Sequence, residues 1–216
     1  MIDNIEIVTV NYNTPDLVKR LIKSVREIEG NYPISIIDGS DKGPFQSEVY
    51  NLRSCYENVE VFPMGYNIHH GRGMDYALSS SRYQWCLIID SDNYIKQPVI
   101  EKMKSLAVGD RKIVGWELIV DSQGKNDPSG FPYYHPMLLL FNTEYYSKLR
   151  NMGIGFIHHG APAIQIMQYL HDNNLSQKVG IDMFKGLGIN KSDIGEYINL
   201  ASRGTVNRFG YNLNEI

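Results

Sequence analysis

The sequence predicts an α/β domain built on a central, mostly parallel sheet flanked by helices. Two observations carry that expectation. Four short apolar or β-branched runs, at residues 5–10, 33–37, 59–62 and 85–89, are each separated by a segment of helix length. Such alternation gives parallel strands joined by right-handed crossovers. Second, each run leads into polar residues: Asn11-Tyr12-Asn13, Asp38-Gly39-Ser40, the segment 65–73, and Asp90-Ser91-Asp92. In a parallel sheet those loops gather on the edge where ligands bind, outside the carboxyl ends of the strands.

The elements follow in order. Residues 5–10 are rich in β-branched residues, as strands are. Thr14-Pro15 opens a helix, with Thr as N-cap and Pro at the first helical position. Leu17, Val18, Leu21, Ile22, Val25 and Ile28 fall on one of its faces, and Gly30 ends it. Phe45, Val49, Leu52 and Tyr56 have helical spacing between the second and third strands. Residues 65–73 predict a glycine-rich loop running into a helix through Met74, Ala77 and Leu78. Trp85-Cys-Leu-Ile-Ile89 is uninterrupted by polar residues, which suits a strand buried on both faces. Beyond it, Pro98 opens a helix, strands are expected at 113–120 and 136–141, and a long loop at 121–135 joins them. Thr143 caps a further helix, and Gly160-Ala161-Pro162 opens another. With no repeat or linker in view, residues 1–216 are expected to form one domain, with halves 1–95 and 96–216.

Composition narrows the function. The net charge of −3, with no block of Lys or Arg, argues against a nucleic-acid or anionic-membrane partner. No run approaches the roughly 18 apolar residues of a membrane span, and the N-terminus lacks a secretion signal. Cys55 and Cys86 are too few for a disulfide framework. A cytoplasmic location is therefore expected.

Chemistry-bearing residues cluster at the strand ends. Asp90 and Asp92 point to the same side if the chain stays extended. Paired carboxylates repel unless a hard divalent cation joins them. The competing reading is a solvated turn, since Asp, Ser and Asn are turn formers. Asp38 has the same two readings, a base or ribose contact or a chain-reversing turn. Gly71-Arg72-Gly73 offers close backbone approach and a positive charge suited to a diphosphate, though two glycines also suit a plain turn. His69-His70, His135 and His158-His159 add imidazoles usable as base or ligand.

These residues resemble family two glycosyltransferases of the GT-A fold. Val8-Thr-Val-Asn-Tyr-Asn13 looks like the family's first strand and nucleotide loop, and Ile36-Ile-Asp38-Gly-Ser40 like its second strand end. Asn67 to Ala77 resembles its Asn-x-Gly…Arg-Asn-x-Gly-x-x-x-Ala segment, and Ile89-Asp90-Ser-Asp92 its Asp-x-Asp. The resemblance implies transfer of a sugar from a UDP- or GDP-linked donor to a glycan or other hydroxyl acceptor by direct, inverting displacement. It implies that Asp92 coordinates Mn2+ or Mg2+, with Asp90 at the ribose or metal. Asn11, Tyr12, Asn13 and Asp38 would hold the base, and Asn67, His70, Gly71, Arg72 and Ser91 would complete the donor site.

The chain also departs from the pattern. His70-Gly71 stands where the family has Arg-Asn, and Asn199 where it often has a metal-proximal His. The acidic pair that supplies the base is replaced by His158-His159-Gly160. That leaves His159, His158 or Asp127 as base, or a displacement that is not inverting. Two other functions stay open. A nucleotidyltransferase acting on a sugar phosphate would want a basic, glycine-rich loop after the first strand, which is absent. A non-catalytic carbohydrate-binding relative would explain the missing acidic pair.

Overall fold

The computed structural model of the protein describes residues 4–157, 160–190 and 194–199. Within them one sheet runs in the order β3-β2-β1-β4-β6-β5-β7. Its parallel half is β1 (Ile5–Asn11), β2 (Ile34–Asp38), β3 (Val59–Pro63) and β4 (Trp85–Ile89). β6 (Phe131–Asn142) runs antiparallel between β4 and β5 (Ile113–Val120), and β7 (Gly180–Asp182) pairs parallel with β5 at the far edge.

The crossovers of the parallel half are α1 (Pro15–Ile28), α2 (Pro44–Cys55) and α3 (His70–Ser80). α1 buries Leu17, Val18, Leu21, Ile22 and Val25, the face that the sequence spacing marks out. Alternate strand residues feed two cores. Ile5, Ile7, Ile36 and Leu87 pack with α1, while Val8, Ile37 and Ile88 pack with Met74, Ala77 and Leu78 of α3. The later helices are α4 (Ile100–Leu106), α5 (Thr143–Asn151), α6 (Ile164–Asp172), α7 (Ser176–Val179), α8 (Met183–Leu187) and α9 (Ile194–Tyr197).

Several expected boundaries are corrected. α3 begins at His70, so Gly71, Arg72 and Gly73 belong to its first turn rather than to a loop. β6 begins at Phe131, which shortens the expected 121–135 loop to a hairpin turn ahead of it. α5 is capped by Asn142, whose side chain accepts the Tyr145 N–H at 2.9 Å, one residue before the expected Thr143. Thr14 sits at the N-cap of α1 but its hydroxyl donates to Asn11 Oδ1 (2.6 Å) instead of capping the helix. None of the helices among the described residues is long and apolar enough to cross a membrane.

One charge lies deep in the sheet. Glu6 is 4% exposed on the α3 side of β1. Its carboxylate accepts from the Ser35 hydroxyl (2.7 Å), the Ser81 hydroxyl and the Cys86 thiol, tying the end of α3 to the sheet. Glu6→Ala would leave buried donors without an acceptor, at about 1–3 kcal/mol each. Urea unfolding should show a loss of about 2 kcal/mol or more, and an unchanged midpoint would refute the tie.

Candidate active site

The register of the sheet sets the site. Asn11, the last residue of β1, stands beside Asp38, the last of β2. Val8 stands beside Ile88, so the chain leaving β4 carries Asp90-Ser91-Asp92 to the level of Asn11. The three strand ends therefore share one edge, as the sequence predicts.

At β1 and β2 the polar groups form a closed network. Asn11 Nδ2 donates to Asp38 Oδ1 at 2.9 Å, and the Ser40 hydroxyl donates to the same oxygen at 2.6 Å. The Ser40 hydroxyl also accepts the Asn13 N–H (2.9 Å), with Asn13 in left-handed backbone at φ 55°. Tyr12 and Asn13 side chains both donate to Asp41 Oδ2, at 2.9 and 3.0 Å. Asp38 is fully buried, and its Oδ2 has no hydrogen-bond partner among the described residues. Burial pushes its carboxyl above the usual range, against the opposing pull of Ser40 and Asn11. The turn reading of Asp38 is thus seen, with Oδ1 bonded to Ser40, while Oδ2 is left an unsatisfied acceptor among the described residues.

At β4 the extended expectation is corrected. The strand stops at Ile89, and the Asn93 N–H donates to the Asp90 carbonyl at 3.0 Å, closing a turn over Ser91 and Asp92. The turn is nonetheless held firmly. Arg20 of α1 donates to the Asp92 carbonyl at 2.7 Å and lies over the Tyr94 ring at 4.7 Å. Ser91 and Asp92 are buried, and Asn93 is fully buried with neither amide atom hydrogen-bonded among the described residues.

His70 Nε2 forms an ion pair with Asp90 Oδ1 at 3.1 Å. Burial works against the imidazolium, but Asp90 and then Asp92 outweigh it and raise the His70 pKa. The same pair overcomes burial on the other side and holds Asp90 below the usual range. His135 lies in the same electrostatic neighbourhood, its pKa lowered by burial.

The remaining candidates serve different ends. Asn67 Oδ1 accepts the His69 N–H at 3.0 Å, fixing the turn into α3. Arg72 is exposed on the first turn. Gly71 has a packing reason to lack a side chain: a Cβ there would lie 1.6 Å from the Ile157 carbonyl oxygen, and one at Gly73 would meet Val10 at 2.6 Å. Both glycines admit close packing of α3. Asp127 is a turn former at the β5–β6 hairpin, its Oδ1 accepting the Ser129 N–H and hydroxyl at 2.9 and 2.7 Å. Those bonds hold its carboxyl below the usual range, making it a weak base. His158 and His159 lie outside the described residues. Asn199 lies within them, its N–H donating to the Tyr94 carbonyl at 3.0 Å.

Were a divalent cation to bind at this edge, Asp92 and Asp90 are the carboxylates that would hold it. No group of three or more His, Cys, Asp or Glu side chains among the described residues is arranged to do so. That donor set fits Mg2+ or Mn2+, hard ions commonly held by one or two carboxylates and completed by substrate phosphates.

The profile of glycosyl transferase family 2 matches residues 6–167, which contain every element of this edge described above up to α6. The chain belongs to glycosyl transferase family 2. Its fold, of GT-A type, is similar to that of TarS 1–349 from S. aureus in complex with UDP-GlcNAc. That match has a TM-score of 0.57 and 14% identity, covering 77% of this chain and 53% of that one. It is also similar to the mannosyltransferase PcManGT from Pyrobaculum calidifontis in complex with GDP-Man and Mn2+, with TM-score 0.55 and 15% identity, covering 74% and 50%. The chain thus spans about half the length of these solved structures. No curated protein sequence matches it at a significant level.

The sequence reading did not single out Arg20, which braces the acidic turn. Arg20 sits mid-helix with no local signal, since its partner is a backbone carbonyl far along the chain.

Proposed function

We propose that this family 2 member transfers a sugar from a nucleoside-diphosphate donor to a hydroxyl acceptor. The observation that carries the reading is the pairing, on one sheet edge, of the unsatisfied Asp38 Oδ2 with the braced acidic turn at Asp90–Asp92. Asp38 and Asn11 would take the base, and Asp92, with Asp90, the cation and diphosphate. Held by those carboxylates, a divalent cation would offset the negative charge that develops on the departing diphosphate.

In the displacement we infer, the acceptor oxygen bonds to the anomeric carbon as the carbon–phosphate-oxygen bond breaks. The electron pair leaves on the nucleoside diphosphate, and the acceptor's proton passes to a base. We assign that base to His159 or His158, and the outcome to inversion. Support comes from their neighbour Ile157, whose backbone packs on Gly71 beside His70. The segment leading there is anchored by Tyr146, whose hydroxyl donates to Asp75 and accepts the Phe156 N–H at 3.3 Å.

The test is calorimetric titration of UDP- and GDP-sugars with and without Mn2+ or Mg2+, followed by a transfer assay. Absence of nucleotide binding in every condition would sink the reading. Binding without turnover would favour the non-catalytic relative, and pyrophosphate release from a nucleoside triphosphate plus sugar phosphate would favour the nucleotidyltransferase.

Asp38 adds a pH signature. Its folded pKa is raised, so protonation sets in above the usual carboxylate range as pH falls. Nucleotide affinity should therefore decline at mildly acidic pH, and the decline should flatten in Asp38→Asn. In the unliganded protein the sign for stability is opposite: ionised Asp38 weakens the fold as pH rises through its raised pKa. A wild-type affinity profile that stays flat would show that Asp38 does not accept from the base.

A further inference from the structure

Strand order gives the donor a direction along the edge. The base contacts Asn11 and Asp38 on β1 and β2, and the diphosphate meets the turn after β4. The next strand in the sheet is β6. Continuing that line places the transferred sugar at the β6 residues beyond the end of β4.

The residue there is His135. β4 pairs with β6 from Trp85↔Asn142 to Ile89↔Leu138, so His135 lies past the last paired residue, on the active-site edge. The β5–β6 ladder shifts register between Gly115 and Trp116, jumping from Gly115↔Leu139 to Trp116↔His135. Pro136, Met137 and Leu138 therefore have no partner on β5. Irregularities of this kind re-aim side chains beside active sites.

The released Met137 N–H donates to His135 Nδ1 at 3.1 Å. That bond requires the lone pair on Nδ1, so the proton of the neutral ring resides on Nε2. The rings of Trp116 and Tyr133 flank the imidazole at 5.8 and 5.9 Å between centroids and fix its plane. Burial, aided by His70 and opposed by Asp90, keeps the ring neutral. Nε2–H makes no hydrogen bond among the described residues and belongs to a ring that is not fully buried. A neutral, rigidly held N–H donor recognises an oxygen.

We propose that His135 is a specificity-determining residue that donates its Nε2–H to an oxygen substituent of the transferred sugar. The inference rests on the nucleotide-sugar reading above. A side chain with its lone pair committed to Met137 cannot also take a proton from the acceptor through Nδ1, which separates this role from that of the base.

Two variants test it. His135→Asn keeps an acceptor near Nδ1 for Met137 but removes the distal donor, whereas His135→Gln restores an N–H near the Nε2 position. Calorimetry would compare UDP and GDP with a panel of their sugar conjugates on wild type and both variants. The expected result is unchanged nucleoside-diphosphate affinity in His135→Asn, with about tenfold weaker binding of the preferred nucleotide sugar. His135→Gln should recover part of that loss. Equal weakening of nucleoside diphosphate and nucleotide sugar would show a scaffold role and overturn the inference. So would retention of the full sugar preference in His135→Asn. Wild type that binds no nucleotide at all would strike the donor reading itself, and this inference with it.

Discussion

Asp92→Ala should lower sugar transfer by about a thousandfold or more, the several kcal/mol that a correctly placed divalent ion contributes to a departing diphosphate. Within the acidic turn His70 forms its ion pair with Asp90 at 3.1 Å, while the charge of Asp92 also acts on His70. The Asp92 side chain stands in a turn whose backbone is fixed by Arg20 and by the Asn93 N–H, so its removal should leave the surrounding fold intact. The measurement is transfer rate against Mn2+ concentration, accompanied by calorimetry of the nucleoside diphosphate. Binding in metal-free buffer should match wild type, and the enhancement by Mn2+ should vanish. A variant that retained the Mn2+ enhancement would remove Asp92 from the metal site.

Gly71→Ala should be the most damaging methyl group that can be added to this edge. Alanine ordinarily gains about 1 kcal/mol over glycine within a helix. Here the added carbon would lie 1.6 Å from the Ile157 carbonyl oxygen, a backbone atom with no rotamer to escape into. Overpacking of that kind costs about 1–3 kcal/mol, or a fall in Tm of about 3–10 °C for a chain of this size. The displaced segment leads directly to His158. Transfer should therefore fall further than the affinity for the nucleoside diphosphate, which depends on Asn11 and Asp38 on different strands. A Tm and rate equal to wild type would show that α3 and the 154–157 segment separate freely.

The parallel half of the fold is legible because its signals are local. Apolar runs, a Pro at the start of α1 and polar strand ends each arise within a few residues. The antiparallel half hides for the same reason. Pro132 and Pro136 disfavour a strand by propensity, yet Phe131, Tyr133 and His135 lie in one strand because the facing residues of β5 pair with them. The Asp-x-Asp shows a different limit. Its composition is right for a metal site and right for a turn, and the structure shows the turn. Gly71 and Gly73 are ambiguous in sequence because a missing side chain suits a phosphate or a packed neighbour equally well. The closeness of Ile157 and Val10, which the structure shows, has no local signal in the sequence. The catalytic base is illegible where the family pattern is broken, and His158-His159 lie outside the described residues.

The bracing of the acidic turn carries a consequence for how the protein acquires its activity. Arg20 reaches the Asp92 carbonyl across 72 residues, and the Ser24 hydroxyl accepts the Ile95 N–H across 71. From the other direction, Ile95 bridges to Ile198, while the Tyr197 carbonyl accepts the Lys96 N–H at 2.7 Å. Contacts of such long range carry the loop-closure cost that delays them in folding. The β1–β4 pairing is of similar range, Glu6 and Cys86 standing 80 residues apart. Arg20 and Ser24 can thus brace the turn as those strands pair, whereas the contacts of Tyr197 and Ile198 must wait for later chain. The turn should therefore reach its final shape as one of the last events of refolding, after the parallel strands have paired.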